Sequence, residues 1–162
     1  MVNSRLKIIQ AEALKKKFPA LRRRKKTIVF TNGCFDILHL GHVSYLESAR
    51  KSGDALLVGV NGDAAVRELK GRGRPVNSET DSASVLAALE SVSGICIVPE
   101  KTMTRFLTAA QPDIYIKGGD YTVDTLNQDE RRAVESAGGK IVIIPFVPGK
   151  STTALLEKIS RL

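Results

Sequence analysis

A chain of 162 residues, 43% apolar and 26% charged, has the length and balance of one soluble domain with a sizeable core. No segment stays apolar over the roughly 18 residues that a membrane span requires, and the start, MVNSRLKIIQAEALKKKF, lacks a secretory h-region and cleavage site, so a cytoplasmic location without membrane association is expected. Two cysteines, Cys34 and Cys96, exclude a disulfide framework or a cysteine zinc site, and the net charge of +8 favours an anionic small substrate over nucleic acid, because no base-reading motif accompanies the basic run from Lys15 to Lys26.

Residues 1–26 read as a basic helical lead-in and 27–162 as the domain proper. The first β-rich run is TIVFT, Thr27 to Thr31. It is followed by ALLVGV (Ala55 to Val60), GICIV (Gly94 to Val98), DIYIK (Asp113 to Lys117) and KIVIIP (Lys140 to Pro145). Each is short, nearly continuous in Val, Ile and Leu, and bounded by turn residues, as strands covered on both faces are. Helical spacing fills the intervals. HVSYLESARKSG ends on Gly53, SETDSASVLAALESV starts from Ser78 as N-cap, TMTRFLTAAQP stops before Pro112, and NQDERRAVESAGG closes on Gly138 and Gly139. The alternation predicts an α/β fold: a Rossmann-like, doubly wound, five-stranded parallel sheet flanked by helices, with ligands bound beyond the carboxyl ends of the strands.

That rule converts the strand positions into a set of candidate site residues. Asn32, Gly33, Phe35, Asp36, His39 and His42 follow the first strand, and Asn61 and Asp63 follow the second. KGGDY, Lys117 to Tyr121, ends the fourth, and PGKSTT, Pro148 to Thr153, follows the fifth. PGKST resembles the end of a Walker A loop, but its first glycine would fall at Ile144. GRGRPV has Gly71 and Gly73 but Val76 where a dinucleotide fingerprint needs a third glycine. Phosphate chemistry therefore falls to TNGCFDILHLGH. A helix starting near Gly41 aims free N–H groups at the crevice, while His39 and His42 project to one side and can donate to phosphate oxygens. The bland alternative is that His42 caps the helix and His39 packs.

NGCFDILHLGH resembles the signature of the nucleotidylyltransferase superfamily that carries H-x-G-H. The longer set, TNGCFDILHLGHVSYLESARKSGDALLVGVN, LKGRGRPVN, VLAALESV, PDIYIKGGDY and STTALLEKI, is closely similar to the D-glycero-β-D-manno-heptose 1-phosphate adenylyltransferase family from Thr27 to the C-terminus. The resemblance implies transfer of AMP from ATP to the sugar phosphate, giving ADP-heptose for the lipopolysaccharide core, and pyrophosphate. His39, His42 and Lys70 take catalytic roles in this reading. Thr31, Asn32, Gly33, Cys34, Phe35 and Gly41 bind the nucleotide and its phosphates, as do Lys117, Gly118, Gly119, Asp120, Tyr121, Ser151, Thr152 and Thr153. Asp36, Asn61, Asp63 and Arg74 meet the sugar phosphate. Mg²⁺ is expected as a cofactor carried mainly by the ATP phosphates, with no dedicated protein cage. Many members follow a kinase in one chain, so a separate upstream kinase and a stand-alone homodimeric transferase are the expectation here.

Ser82 departs from the family pattern. Related sequences usually carry arginine there, and its loss removes one fixed charge that Arg72 or Arg74 would have to replace. Ser93 and Met103 stand where Asp and Pro are usual. The enzymatic alternative is a cytidylyltransferase acting on glycerol 3-phosphate or another polyol phosphate; the non-enzymatic one is a nucleotide- or nucleic-acid-binding protein.

Overall fold

Five short apolar runs pair side by side in the computed structural model, which describes residues 4–119 and 121–162. They are β1 (Ile28–Gly33), β2 (Ala55–Asn61), β3 (Gly94–Val98), β4 (Ile114–Gly118) and β5 (Lys140–Ile144), in the spatial order β3-β2-β1-β4-β5. Every pairing is parallel, so each return to the sheet runs through a crossover and all carboxyl ends share one edge. The helices are α1 (Ala11–Arg23), α2 (Leu40–Arg50), α3 (Asp63–Lys70), α4 (Glu79–Ala87), α5 (Thr104–Ala110), α6 (Gln128–Glu135) and α7 (Thr152–Ile159). This is the doubly wound Rossmann-like α/β sheet expected from the alternation of patterns.

Period-two alternation sorts the strand residues between two cores. Val29, Val58 and Ile116 face α2 and α4, where Leu46, Ala49, Ala83 and Leu86 are buried. Phe30, Leu57 and Tyr115 face α1, α5 and α6. On that second face Phe30 stacks on Phe106, with ring centroids 4.7 Å apart, and Phe18 of α1 meets Phe106 edge-on at 6.4 Å. The lead-in thus contributes to the core. It also shields the β3 edge, because Ile8 bridges Ile95 and the Ile9 N–H donates to the Ile95 carbonyl at 2.9 Å.

Ser78 caps α4 as its sequence predicts, accepting from the Asp81 N–H at 3.1 Å. Three features differ from the sequence reading. β1 and β2 run on to Gly33 and Asn61, because the ladder continues through Asn32↔Gly59 and Gly33↔Val60 despite the polar residues. Two short helices, α3 and α7, take up Asp63, Thr152 and Thr153, expected in loops, and continue through stretches to which the sequence assigned no element. β5 is an edge strand only partly covered by the helices, which leaves Val142 38% exposed.

Phe18→Ala should destabilise the protein by about 3–5 kcal/mol, the usual effect of emptying a buried aromatic site. The measurement is a lowered urea midpoint at unchanged m-value; a lead-in lying on the surface would lose less than about 0.5 kcal/mol.

Candidate active site

A cavity of about 710 Å³ opens at the carboxyl edge of the sheet, above the β1–β4 junction. From β1 the chain winds outward to β2 and β3, and from β4 to β5, so this junction is the topological switch point where such sheets bind ligands. The volume suits a nucleotide together with a second small substrate.

One wall is made by two helix starts. His39 is the N-cap residue of α2 in extended conformation, yet its side chain makes no cap hydrogen bond. Instead its ring stacks on His42 with centroids 3.8 Å apart and planes 22° from parallel. Gly41 makes the stack fit, since a Cβ there would lie 3.0 Å from the His39 ring and 3.1 Å from Cβ of Lys150. Nδ1 of both imidazoles is buried without a partner among the described residues. Burial, reinforced by the neighbouring His39 and offset in part by the Ile37 backbone, pushes His42 down to about 4. Burial lowers His39 as well. Both rings are therefore neutral at pH 7. Beside them starts α7, where Ser151 accepts from the Ala154 N–H at 3.1 Å and Thr152 reaches the Ile37 carbonyl at 3.4 Å. Lys150 to Thr153 line the cavity with His39, Gly41 and His42, so the positive ends of two helix dipoles meet there.

The opposite wall carries Asn32, Lys117 and Glu130. Strand alternation puts Asn32 and Lys117 on the Phe30–Tyr115 side of the sheet. Lys117 Nζ donates to Asn32 Oδ1 at 3.0 Å and stands 3.5 Å from Glu130 Oε2. Burial lowers the lysine and the Glu130 carboxylate opposes that effect. Lys70, Arg74 and Lys101 add further cations to the lining. Cys34 lies in the wall, and burial pushes its thiol up, against the partial effect of Lys70 and Arg74. A thiol held protonated is a poor nucleophile.

Of the predicted site residues, the structure brings Asn32, Gly33, Cys34, Phe35, His39, Gly41, His42, Asn61, Lys70, Arg74, Lys117, Gly118, Tyr121, Ser151, Thr152 and Thr153 to the cavity. Asn61 is 4% exposed and its Oδ1 has no partner among the described residues. Thr31 is not in the lining. Its buried hydroxyl lies 2.6 Å from that of Tyr45, and Tyr45 in turn faces the cavity over Gly118. Asp36 is likewise withdrawn: it accepts from the Asn77 N–H at 2.7 Å, the Val76 N–H at 2.9 Å and Arg74 Nε at 2.7 Å. Burial pushes its carboxyl up, but the Asn77 and Val76 backbone donors and Arg74 outweigh that and hold it below the usual range. It ties the Arg74-bearing loop to the β1–α2 loop rather than facing a phosphate. Asp63 exchanges bonds with Glu79: the Asp63 N–H donates to Glu79 Oε2 at 2.6 Å and the Glu79 N–H to Asp63 Oδ1 at 2.7 Å. Each carboxylate satisfies the other helix start, so Asp63 is outside the lining too. Gly119 packs beneath Phe146, and Asp120 lies outside the described residues. Ser82 is 4% exposed on the core side of α4 and does not line the cavity, nor does Arg72.

The cavity also takes Lys150 of the PGKSTT loop and, beyond what the strand-end rule selected, Tyr45, Lys101, Thr102, Leu126, Asn127, Glu130 and Phe146. Phe146 lies beside the loop after β5 and was within reach of that rule. Glu130 lies within a helix, away from any strand end, and Asn127 and Glu130 have the N-cap and N3 spacing of a capping box. Asn127 does accept from the Asp129 and Glu130 N–H groups, at 2.9 and 3.2 Å, but the Glu130 carboxylate turns toward the cavity. Among the described residues no group of three His, Cys, Asp or Glu side chains could hold a metal ion, and no helix is long and apolar enough to cross a membrane.

The doubly wound parallel sheet, with an H-x-G-H helix start and a second helix start at its switch point, fits the nucleotidyltransferase resemblance of the H-x-G-H motif. Residues 30–158 match the family described as cytidylyltransferase-like, and the chain belongs to that family. The bifunctional protein HldE of Syntrophotalea carbinolica is 46% identical over 153 residues, which are 94% of this chain and 31% of that relative. HldE of Geotalea uraniireducens is 48% identical over 157 residues, 97% of this chain and 32% of the relative. The chain therefore spans about a third of the length of these curated relatives. Among solved structures, the lipopolysaccharide core biosynthesis protein from Thermoplasma volcanium superposes with a TM-score of 0.62 at 28% identity, over 75% of this chain and 97% of that one.

The imidazole titration has a stability consequence. In the folded protein His42 takes up its proton only near pH 4, against an ordinary value of 6.5. The unfolded chain then holds more protons in between, so the stability carried by this group is complete above pH 6.5 and is lost as the pH falls toward 4. His42→Gln should flatten this part of the curve, measured as urea midpoints at about pH 4.5 and 7.5. Imidazole NMR should show wild-type His42 neutral throughout most of that interval.

Proposed function

We propose that the protein transfers AMP from ATP to D-glycero-β-D-manno-heptose 1-phosphate, releasing pyrophosphate and forming ADP-heptose for the lipopolysaccharide core. The observation that carries this reading is the stacked imidazole pair set between two helix starts, each ring with an Nδ1 that has no partner among the described residues, a polyphosphate grip in a nucleotidyltransferase. The KGGDY string and the HldE relatives support the heptose acceptor. The acceptor's phosphate oxygen attacks the α-phosphorus of ATP in line with the departing pyrophosphate. That nucleophile is already an anion, so positioning and charge neutralisation carry the rate and no covalent enzyme intermediate is needed.

In this reading His39, His42 and the α2 and α7 N–H groups hold the leaving pyrophosphate, and neutral imidazoles suit that task because they donate without requiring a second proton. Lys150 and Ser151 to Thr153 complete the grip. Lys70, Arg74 and Lys117 neutralise the reacting phosphates, and the free amide oxygen of Asn61 receives a sugar hydroxyl. Tyr121 and Phe146, the latter 60% exposed at the cavity rim, offer faces to the adenine ring. Mg²⁺ would enter with the nucleotide substrate and help to neutralise its phosphates, since among the described residues no group of three His, Cys, Asp or Glu side chains could hold it. A sugar kinase supplies the acceptor, and the enzyme works in the cytoplasm as a homodimer.

Pyrophosphate release across paired nucleotides and acceptors tests the reading. Turnover confined to ATP with heptose 1-phosphate is expected. Turnover of CTP with a polyol phosphate, the reaction type that the family's description favours, would replace it, and binding without turnover would end the enzymatic proposal. His42→Ala should lower kcat at least about 100-fold with an unchanged circular dichroism spectrum. Phe146→Ala should raise the KM for ATP about tenfold, as loss of base stacking would, with a smaller change in kcat.

A further inference from the structure

Glu130 is a carboxylate that the cavity does not obviously need, since it brings negative charge to a place meant for anions. It is 5% exposed and both its oxygens are engaged. Oε1 accepts from the Met103 N–H at 2.8 Å, at the start of α5. Oε2 lies 2.9 Å from the Tyr115 hydroxyl and 3.5 Å from Lys117 Nζ. The same hydroxyl is 2.7 Å from Asn32 Oδ1, so one proton stands between two acceptors and Lys117 supplies the further donation that Asn32 receives. Capping α5 would employ only Oε1, and a capping box on α6 would turn the side chain back toward Asn127. Neither structural duty accounts for Oε2.

We propose that Glu130 is a positioning residue, which with Tyr115 holds Lys117 charged and extended at the end of β4, aimed at the reacting phosphates. A lysine has a flexible four-carbon stem, and a buried one without a partner sheds its proton or swings to solvent. Lys117 is restrained from every side: by the Asn32 amide oxygen, by Glu130, and by the Tyr115 and Tyr121 rings, whose centroids lie 5.4 and 5.9 Å from Nζ. Seen from a distance the Lys117–Glu130 pair is neutral and attracts no anion. Its value is local, a donor fixed where charge grows as the phosphorus is attacked. Glu130 therefore acts through Lys117 and touches neither substrate. The inference rests on the nucleotidyl-transfer reading for the target of Lys117, while the restraint itself is independent of it.

Glu130→Gln tests this cleanly, because the amide oxygen can still accept from the Met103 N–H while the negative charge is gone. The expected result is a fall in kcat of about tenfold or more, with the dissociation constant for ATP unchanged within about twofold or tightened and the thermal midpoint kept within about 2 °C. In the Lys117→Met background the same substitution should change kcat by less than about twofold. By NMR of ¹³C-labelled lysine, the Lys117 midpoint should drop by about one pH unit or more in Glu130→Gln; Glu130, Tyr115, Tyr121 and Cys34 are the titratable groups that face it. Tyr115→Phe, which removes the hydroxyl holding Oε2, should move kcat and the lysine midpoint in the same direction. A wild-type kcat and lysine midpoint in Glu130→Gln, or losses that multiply in the double variant, would overturn the proposal. The lysine titration requires no turnover, so a wild-type protein silent with heptose 1-phosphate would defeat the substrate reading and leave this test intact.

Discussion

All five strands point the same way, and the site follows from that constraint. A parallel sheet cannot be closed by hairpins, so each strand's carboxyl end leads into a loop and usually a helix start on one edge. Where the winding reverses between β1 and β4, the loops diverge to opposite faces and leave a crevice. Two helix starts, α2 and α7, meet there on one face, and the strand-end polar residues Asn32 and Lys117 emerge on the other. An anion entering the crevice meets the N–H groups of two helix starts together with the imidazole and cationic side chains of the lining.

Electrostatics then refine what the topology supplies. The two imidazoles are stacked too closely to share two protons comfortably, and burial penalises even one. Neutral rings add directed donors without adding charge. The carboxylates of the neighbourhood are meanwhile consumed internally. Asp36 gathers the Arg74–Asn77 loop, Asp63 and Glu79 satisfy each other's helix starts, and Glu130 is bound to Met103, Tyr115 and Lys117. Each would repel phosphate if left free, and each instead fixes a piece of backbone that carries a cation or a donor. The +8 excess of the chain is expressed inside the cavity through Lys70 and Lys150, whereas Lys101 is paired with Glu68 and Lys117 with Glu130.

The sequence and the structure agree most closely where the chemistry is local. The five strands, the Ser78 cap, the helix beginning beside Gly41 and the H-x-G-H pair were all legible, because apolar period, capping and backbone donors act within a few residues. Thr31 was drawn toward the cavity by the family resemblance of TNGCFD, and Asp36 and Asp63 because they sit in the loops beyond strand ends. Their actual partners are Tyr45 on a helix, the Val76 and Asn77 N–H groups some 40 residues away, and Glu79. No local pattern reports such pairings. Glu130 was missed in the opposite sense: it lies within the helix NQDERRAVESAGG, away from any strand end, and only tertiary packing brings its carboxylate to Tyr115 and Lys117.

What the chain determines by itself is the order and direction of its elements and the kind of chemistry placed at their ends, since period, turn residues and free helix-start amides follow from neighbouring side chains alone. Which strand-end residues look into the cavity, which carboxylates are spent on backbone, and how Lys117 is held were decided only when distant segments packed. Those outcomes depend on which donors and acceptors come within about 3 Å across the fold, a distance that separation along the sequence does not encode.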